Sequence, residues 1–264
     1  MNAIPGYRTE AVLGRGRSAV VYLAVHGHSA RKVALKVARR NLLERQGQSP
    51  DFGHEFAALL ALAPCQVIRA HDHGLHGDDA YLSMDLMAGS VAQRMPGVPG
   101  PARTHALMSQ VALALGQVHA RGWVHRDVKP SNLLLHRDGR VMLGDLGCAC
   151  RLGERGPQPA GTVIGTPRYA APEQNDGAGA QPSADVYSLG VLLHELLTGQ
   201  APYPGETLTE LFSQHQMAPV PRLPVALTGW QPLLDALLAK SPGDRPTDGH
   251  AVLEELTRLR KGLS

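Results

Sequence analysis

The first third of the chain alternates short apolar runs with turn residues, a pattern that predicts strands. One stretch in it, from Phe52 to Leu62, instead repeats its apolar residues at helical spacing and is expected to end at Pro64. This region therefore predicts a small sheet with one helix. The predicted strands lie at Leu13, Val20–Leu23, Val33–Val37, Val67–Ala70 and Tyr81–Leu86, with a turn at His26–His28.

From about Ala102 onwards the apolar periodicity becomes mainly helical, which predicts a second and mostly helical part of the chain. The join is expected near Ala88–Ser90, where small residues would let two lobes hinge over a cleft. The predicted fold class is α+β, with a β-rich N-lobe at 7–87 and a larger helical C-lobe at 88–264. The predicted helices of the second part are Ala106–Ala120, Ser183–Thr198, Leu208–His215, Gln231–Ala239 and Gly249–Leu259.

Composition narrows the class of protein. The 264 residues carry a formal net charge of +3 without a run of Lys or Arg, so neither a nucleic-acid patch nor a polybasic membrane anchor is expected. The apolar stretch Ala57–Ile68 is broken by Pro64 and is shorter than the roughly 20 residues of a membrane span. No signal peptide is recognised at the start. An acidic small ligand such as a nucleotide suits this charge.

Three cysteines, Cys65, Cys148 and Cys150, favour reduced thiols and a cytoplasmic protein over a disulfide framework. Cys148 and Cys150 could supply two of the four ligands of a zinc site, but no second Cys/His pair with ligand spacing lies nearby in the sequence. They are therefore expected to fill the core.

The stretch from His125 to Asn132 sets a carboxylate, an ammonium and an amide on one short loop. These groups suit phosphoryl transfer: Asp127 accepts the proton of the acceptor hydroxyl, Lys129 neutralises charge on the transferring oxygens, and Asn132 helps to hold Mg²⁺. The spacing of Lys129 and Asn132 after Asp127 makes a chance match improbable. The loop resembles the catalytic loop of the protein kinase family, in particular the eukaryotic-like serine/threonine kinases of bacteria.

The resemblance covers the whole chain and implies the bilobal kinase fold as a single catalytic domain. Within it, Lys36 matches the lysine that reaches the α- and β-phosphates, and Glu55 the carboxylate that pairs with it. Asp145, followed by Leu146 where the family has Phe, matches the Mg²⁺ ligand that acts with Asn132. Taken alone, Lys36 would more often be a solvated head on a buried stem, and Asp145 would more often be a turn residue.

The resemblance also implies a nucleotide site. The segment from Gly14 to Val21 matches the loop that covers the phosphates, although Ala19 replaces the family's third glycine and an ordinary hairpin turn has the same pattern. The segment Tyr81–Met87 matches the interlobe strand that borders adenine, although Met-rich stretches are often plain core. The expected nucleotide-binding residues are Leu13, Gly14, Arg15, Gly16, Val21, Ala34, Lys36, Glu55, Met84, Asp85, Met87 and Leu134.

Residues 145–173 match the activation segment of the family. Its last residue, Glu173, is expected to pair with Arg245 in a structural role, and Asp185 to brace the catalytic loop. Lys129 and Thr166 together resemble the branch that modifies serine and threonine.

Regulation is a further expectation from the activation segment. Thr162 is the hydroxyl residue between Cys148 and Gly165, and we expect it to be autophosphorylated, with Arg126 and Arg151 receiving the phosphate. An unmodified Thr162 is the alternative.

The sequence thus predicts a cytoplasmic serine/threonine protein kinase that uses ATP with Mg²⁺ or Mn²⁺. Its partners would be protein substrates and a cognate phosphatase, without nucleic acid or membrane. A nucleotide-binding pseudokinase scaffold is one alternative, although such proteins usually lack one of the charged residues present here. A small-molecule phosphotransferase with the same fold is another, but it would not need Thr166 or the segment Ala171–Glu173.

Overall fold

The computed structural model describes residues 4–16, 19–39, 52–156, 163–177 and 179–263, and they divide into two compact units, Met1–Ala88 and Gly89–Ser264. The first unit is a five-stranded antiparallel sheet with strand order β1-β2-β3-β5-β4 and one helix, α1. These elements are β1 (Tyr7–Arg15), β2 (Ala19–His26), β3 (Lys32–Arg39), α1 (Gly53–Ala61), β4 (Ala70–His76) and β5 (Asp79–Asp85).

Alternating apolar side chains of the first three strands build the core of this unit, with Val20, Tyr22, Val33, Leu35 and Val37 buried on one face. Helix α1 lies against β4, where the rings of Phe56 and His73 are 4.3 Å apart. The predicted α+β character of this region is confirmed.

Two predicted boundaries in the first unit are wrong. Val67 and Ile68 are buried, but the fourth strand begins only at Ala70 and ends at His76. Its polar residues are partnered within the sheet, since Asp72 accepts a hydrogen bond from the Tyr81 hydroxyl at 3.0 Å. Helix α1 ends at Ala61, before Pro64, with the backbone N–H of Leu62 capping the Ala58 carbonyl.

The second unit is mostly helical. Its elements are β6 (Gly89–Ser90), α2 (Val91–Arg94), α3 (Pro101–His119), β7 (Trp123–Val124), β8 (Leu133–Leu135), β9 (Val141–Leu143), β10 (Cys150–Arg151), α4 (Pro182–Thr198), α5 (Leu208–Met217), α6 (Gln231–Leu237) and α7 (Gly249–Leu263). Helix α3 begins five residues before the predicted Ala106, because Pro101 occupies its first turn, a position that proline tolerates.

Helix α4 is the centre of the second unit, and nearly all its residues are buried. Helix α7 packs closely on α3, where Gly249 allows main-chain contact and its N–H donates to His119 Nδ1 at 3.1 Å. Two small sheets, one of three strands (β6-β8-β9) and one of two strands (β7-β10), carry the loops of the site. Among the described residues, none of the helices has the length and apolarity needed to cross a membrane.

Candidate active site

The loop after β7 is anchored to helix α4 by Asp185, which is fully buried. Its two oxygens accept the backbone N–H groups of His125 at 2.8 Å and Arg126 at 2.7 Å, and His119 Nε2 lies 2.9 Å away. Burial by itself would raise the pKa of Asp185, but the hydrogen bonds and the neighbouring histidines bring it below its ordinary value. The start of the loop is therefore fixed by a buried carboxylate.

The carboxylate of Asp127 is oriented by two donors on the same loop. Its Oδ2 accepts Lys129 Nζ at 2.6 Å and Asn132 Nδ2 at 3.0 Å. Its Oδ1 is buried and has no hydrogen-bond partner among the described residues. Burying a carboxylate oxygen without a hydrogen-bond donor costs free energy. The unpaired Oδ1 therefore indicates a place where a proton donor from outside the chain binds.

Lys129 also joins the catalytic loop to the segment before Ala171. The same Nζ donates to Thr166 Oγ1 at 2.6 Å. The segment is fixed further along, because Ser188 Oγ donates to the Tyr169 carbonyl at 2.8 Å and the Tyr169 hydroxyl donates to Glu195 at 2.5 Å. Thr166 is thus held beside Asp127 from both sides.

The predicted metal ligands Asn132 and Asp145 lie at one end of the β8–β9 hairpin. Antiparallel pairing sets Leu133 opposite Leu143, and the Gly144 N–H donates to the Asn132 carbonyl at 2.9 Å. Asp145 follows in a left-handed conformation, with φ of 60°.

The donor set at this end suits Mg²⁺. The amide nitrogen of Asn132 donates to the Asp127 carbonyl at 2.9 Å, so the side chain's ligand atom is Oδ1, which also accepts the Ser131 hydroxyl at 3.3 Å. Among the described residues no group of three or more His, Cys, Asp or Glu side chains forms a metal cluster. Mg²⁺ typically takes only one or two carboxylates from a protein and fills its shell with phosphate oxygens and water. Asn132 and Asp145 fit that pattern.

Leu134, on β8, is partly buried and lies over Gly144. A Cβ atom on Gly144 would come within 2.6 Å of Leu134 Cδ1, so the glycine leaves room for this leucine beside Asp145. Leu134, which is predicted to contact the nucleotide, therefore presents an apolar surface next to the proposed metal ligands.

In the first unit, Lys36 and Glu55 form the predicted ion pair. Nζ of Lys36, on β3, lies 2.8 and 3.0 Å from the two carboxylate oxygens of Glu55, on α1. Glu55 is 4% exposed, and the Lys36 ammonium lies 5.2 Å from the centre of the Phe52 ring. The pairing holds the ammonium in one place.

The described residues of the glycine-rich segment lie at the end of β1 and the start of β2. Gly14 pairs with Val21, and a register shift at Leu13 precedes it. Gly16 donates its N–H to the Ala19 carbonyl at 2.8 Å, while Arg15 is exposed.

The predicted adenine-side residues lie at the end of β5 and opposite it on β3. Ala34 pairs with Met84, and Met87 follows the strand. The side chain of Asp85 accepts Arg31 at 2.6 Å and lies 2.8 Å from His71 Nε2.

The activation segment carries the predicted structural pair. Arg245 binds Glu173 through two parallel contacts of 2.7 and 3.0 Å, and its side chain is fully buried. Arg126 is 3% exposed and donates to the carbonyls of Cys148 at 2.7 Å and Arg155 at 2.6 Å. Thr162, the residue predicted to carry the phosphate that Arg126 contacts, lies outside the described residues.

Cys148 was expected to fill the core but is only partly buried, and Gln174 was not predicted at all. Burial and the nearby charges of Asp127 and Asp145 raise the pKa of the Cys148 thiol to about 11, so this cysteine lies beside the carboxylates and is protonated at neutral pH. Gln174 is buried and bonds to the catalytic loop. The position of Cys148 directly after the Asp145–Gly147 motif was a usable signal, whereas nothing in the sequence marks Gln174.

Comparison with known proteins agrees with this geometry. Residues 7–257 match the family model described as protein kinase domain. The chain is 32% identical to the serine/threonine-protein kinase PknL of Mycobacterium tuberculosis over 98% of this chain and 66% of PknL. It is 34% identical to pkn2 of Myxococcus xanthus over 98% of this chain and 33% of that protein. It is 33% identical to PknH of Mycobacterium bovis over 95% of this chain and 42% of PknH.

The chain thus spans between a third and two thirds of the length of these relatives. The family model, in contrast, covers nearly all of the chain, including most of each compact unit. The chain therefore belongs to the protein kinase family, among the bacterial serine/threonine kinases of eukaryotic type.

Proposed function

We propose that the chain catalyses transfer of the γ-phosphoryl group of ATP to serine or threonine hydroxyls of proteins. The observation that carries the proposal is the state of Asp127, whose Oδ2 is held by Lys129 and Asn132 while Oδ1 is buried without a partner among the described residues. A carboxylate fixed in this way can orient an acceptor hydroxyl and take its proton.

Other residues support the transfer by binding and neutralising charge. Lys36, held by Glu55, suits the α- and β-phosphates. Asn132 and Asp145 would hold Mg²⁺, or Mn²⁺ in its place, and the bound metal would neutralise charge on the phosphates. Lys129 lies between Asp127 and Thr166 and offers a cation where charge develops on the transferred group.

The remaining nucleotide contacts stay predictions from the sequence. Apolar side chains would pack on the adenine ring, and backbone groups near the end of β5 would bond to its edge. The residues concerned are Leu13, Gly14, Arg15, Gly16, Val21, Ala34, Met84, Asp85, Met87 and Leu134.

Serine and threonine are favoured as acceptors by the Lys129–Thr166 bond and by the names of the relatives, all serine/threonine-protein kinases. Thr166 and Glu173, which is paired with Arg245, also favour a protein acceptor over a small molecule, since both residues belong to the segment that serves protein substrates in this family.

We further propose that Thr162 is phosphorylated in the activation segment and that a cognate phosphatase in the cytoplasm reverses this. The support is Arg126, whose guanidinium already contacts two carbonyls of this segment, those of Cys148 and Arg155. Phosphopeptide mapping after incubation with Mg-ATP tests the site. Equal activity of wild type and Thr162→Ala would remove this regulatory step.

Transfer of labelled phosphate from [γ-³²P]ATP to casein tests the function. Asp127→Asn should abolish transfer, because the amide cannot take the proton. Asp138→Asn is the matched control, since Asp138 is 45% exposed and its ionic partners among the described residues are the nearby His136 and Arg140. Absence of transfer by the wild type under any metal would favour the scaffold alternative.

A further inference from the structure

Gln174 joins two segments of the site that are far apart in sequence. It follows Glu173 in the short helical turn Pro172–Asn175 and is 8% exposed. Its Nε2 donates to the carbonyl of Arg126 at 2.7 Å and to the carbonyl of Ile164 at 3.0 Å. The first carbonyl directly precedes Asp127, and the second lies two residues before Thr166.

The main chain is shaped to make this contact possible. Arg126 and Gly165 both adopt positive φ angles, 63° and 73°, and these are uncommon for a residue with a Cβ atom. A Cβ atom on Gly165 would overlap the Arg126 carbonyl oxygen and would lie 2.8 Å from Gln174 Nε2. The loops therefore approach so closely that only glycine fits between them, and the glutamine amide occupies the same small space.

The amide of Gln174 bridges the two segments through a single group. One NH₂ group carries two N–H bonds, and Gln174 donates one to each carbonyl. The same Cβ position on Gly165 lies 3.5 Å from Asp127 Oδ1, the unpartnered oxygen of the carboxylate. Movement of either carbonyl would shift Asp127 relative to Thr166.

We propose that Gln174 is a positioning residue of the phosphoryl transfer, which sets the distance between the catalytic loop and the loop of Thr166. The inference rests on the proposed function and adds to it the residue that aligns the acceptor with Asp127. Gln174 acts through the two carbonyls to which it donates hydrogen bonds. The acceptor hydroxyl itself contacts Asp127, not Gln174.

Loss of the two N–H donors should produce a specific kinetic pattern. A misplacement of about 1 Å can lower a catalysed rate by about 100-fold, so kcat is expected to fall between 10- and 100-fold. The KM for the acceptor protein should rise because the loop of Thr166 loses its support. The KM for ATP should stay the same, because the bonds of Gln174 go to the carbonyls of Arg126 and Ile164 and to neither Lys36 nor Asp145.

The experiment compares Gln174→Met and Gln174→Glu with Gln181→Met in the full chain. Both Gln174 variants keep the length of the side chain and remove its N–H donors. Gln181, at the start of α4, is exposed and its side chain makes no capping bond, so it is the matched control. Steady-state kinetics with casein and ATP gives kcat and both KM values, and hydrogen–deuterium exchange follows residues 123–129 and 163–170.

The expected result for both Gln174 variants is the kcat loss, a raised KM for casein alone, and faster exchange in both segments. Kinetics and exchange equal to those of the control would overturn the proposal. A fall in kcat with both KM values unchanged would also overturn it, since that pattern reports only loss of folded enzyme. If the wild type transfers no phosphate, the proposed function fails, and exchange alone decides whether Gln174 holds the two loops.

Discussion

Two glycine-containing loops of this protein differ in how they are held. The turn between β1 and β2 is exposed at Arg15 and Gly16, and a Cβ atom on Gly14 would meet nothing within 4 Å. At Gly165, in contrast, φ is 73° and a Cβ atom would meet the Arg126 carbonyl and the amide of Gln174.

The difference corresponds to what each loop is proposed to do. A loop that covers phosphates must admit and release a nucleotide, so few side-chain contacts suit it. A loop that aligns an acceptor with a catalytic carboxylate must keep its geometry within a fraction of an ångström. The comparison indicates that the rigid region extends from Gly165 through Asp127 to Asp185.

The largest expected effect comes from Asp185→Ala. The change leaves the N–H groups of His125 and Arg126 buried without an acceptor, so unfolding free energy should fall by about 3–5 kcal/mol and activity at least 100-fold. Urea unfolding and the casein assay measure both. Asp176→Ala, at an exposed position, is the control. Equal stability of the two variants would refute the bracing role.

Gly165→Ala should have the next largest effect. A residue with a Cβ atom in the left-handed region, in a space already occupied, is expected to cost about 2–4 kcal/mol and to lower kcat. The same urea titration reports this change. A variant within 1 kcal/mol of wild type would show that the two loops are not packed as tightly as the comparison requires.

The pH dependence of the unfolding free energy tests whether the rigid region extends to the buried side chains of Tyr187 and His215. His215, on α5, is 1% exposed and bonds to Tyr187, and its burial, together with the charge of Lys240, lowers its pKa to about 4. Because the unfolded chain takes up this proton below about pH 6.5, stability is complete above that pH and is lost towards pH 4. Between pH 7 and pH 5 the loss should be about 2 kcal/mol.

His215→Gln should remove this part of the pH dependence, whereas His28→Gln, in an exposed turn, should leave it intact. Urea unfolding at pH 7, 6 and 5 measures the slope. An unchanged slope in His215→Gln would mean that this histidine is not held neutral in the fold.

The smallest effect is expected for Gly14→Ala. Its Cβ atom enters open space on a strand, where replacing glycine changes stability by no more than about 1 kcal/mol. The KM for ATP should rise less than tenfold. Loss of stability comparable to that of Gly165→Ala would contradict the comparison between the two loops.

The charged residues of the site were predictable because their spacing within short motifs is tied to their chemistry. Lys36 lies on a predicted strand, Asp127 and Asp145 lie next to strands or turns that the sequence marks, and the Lys36–Glu55 pair is present at 2.8 Å. Much of the fold was predictable too, since most strands and helices have clear apolar periods.

The predictions that were wrong or missing have a common physical cause: the hydrogen-bond partners of the residues concerned lie on other segments of the chain. The fourth strand was placed at Val67–Ala70 instead of Ala70–His76, because the polar residues of the true strand bond to the neighbouring strand, as Asp72 does to Tyr81. Gln174 was missed because its importance comes from a carbonyl 48 positions earlier in the chain. No local pattern records either contact.

The most direct test of the central claim is the identity of the group transferred and of its acceptor. Casein is incubated with the wild-type chain, Mg²⁺ and either [γ-³²P]ATP or [α-³²P]ATP, and its amino acids are then separated. We predict label from the γ-position alone, on phosphoserine or phosphothreonine, and none with Asp127→Asn. ATP binding by the wild type without label on any hydroxyl, or equal labelling by Asp127→Asn, would contradict the assignment of Asp127.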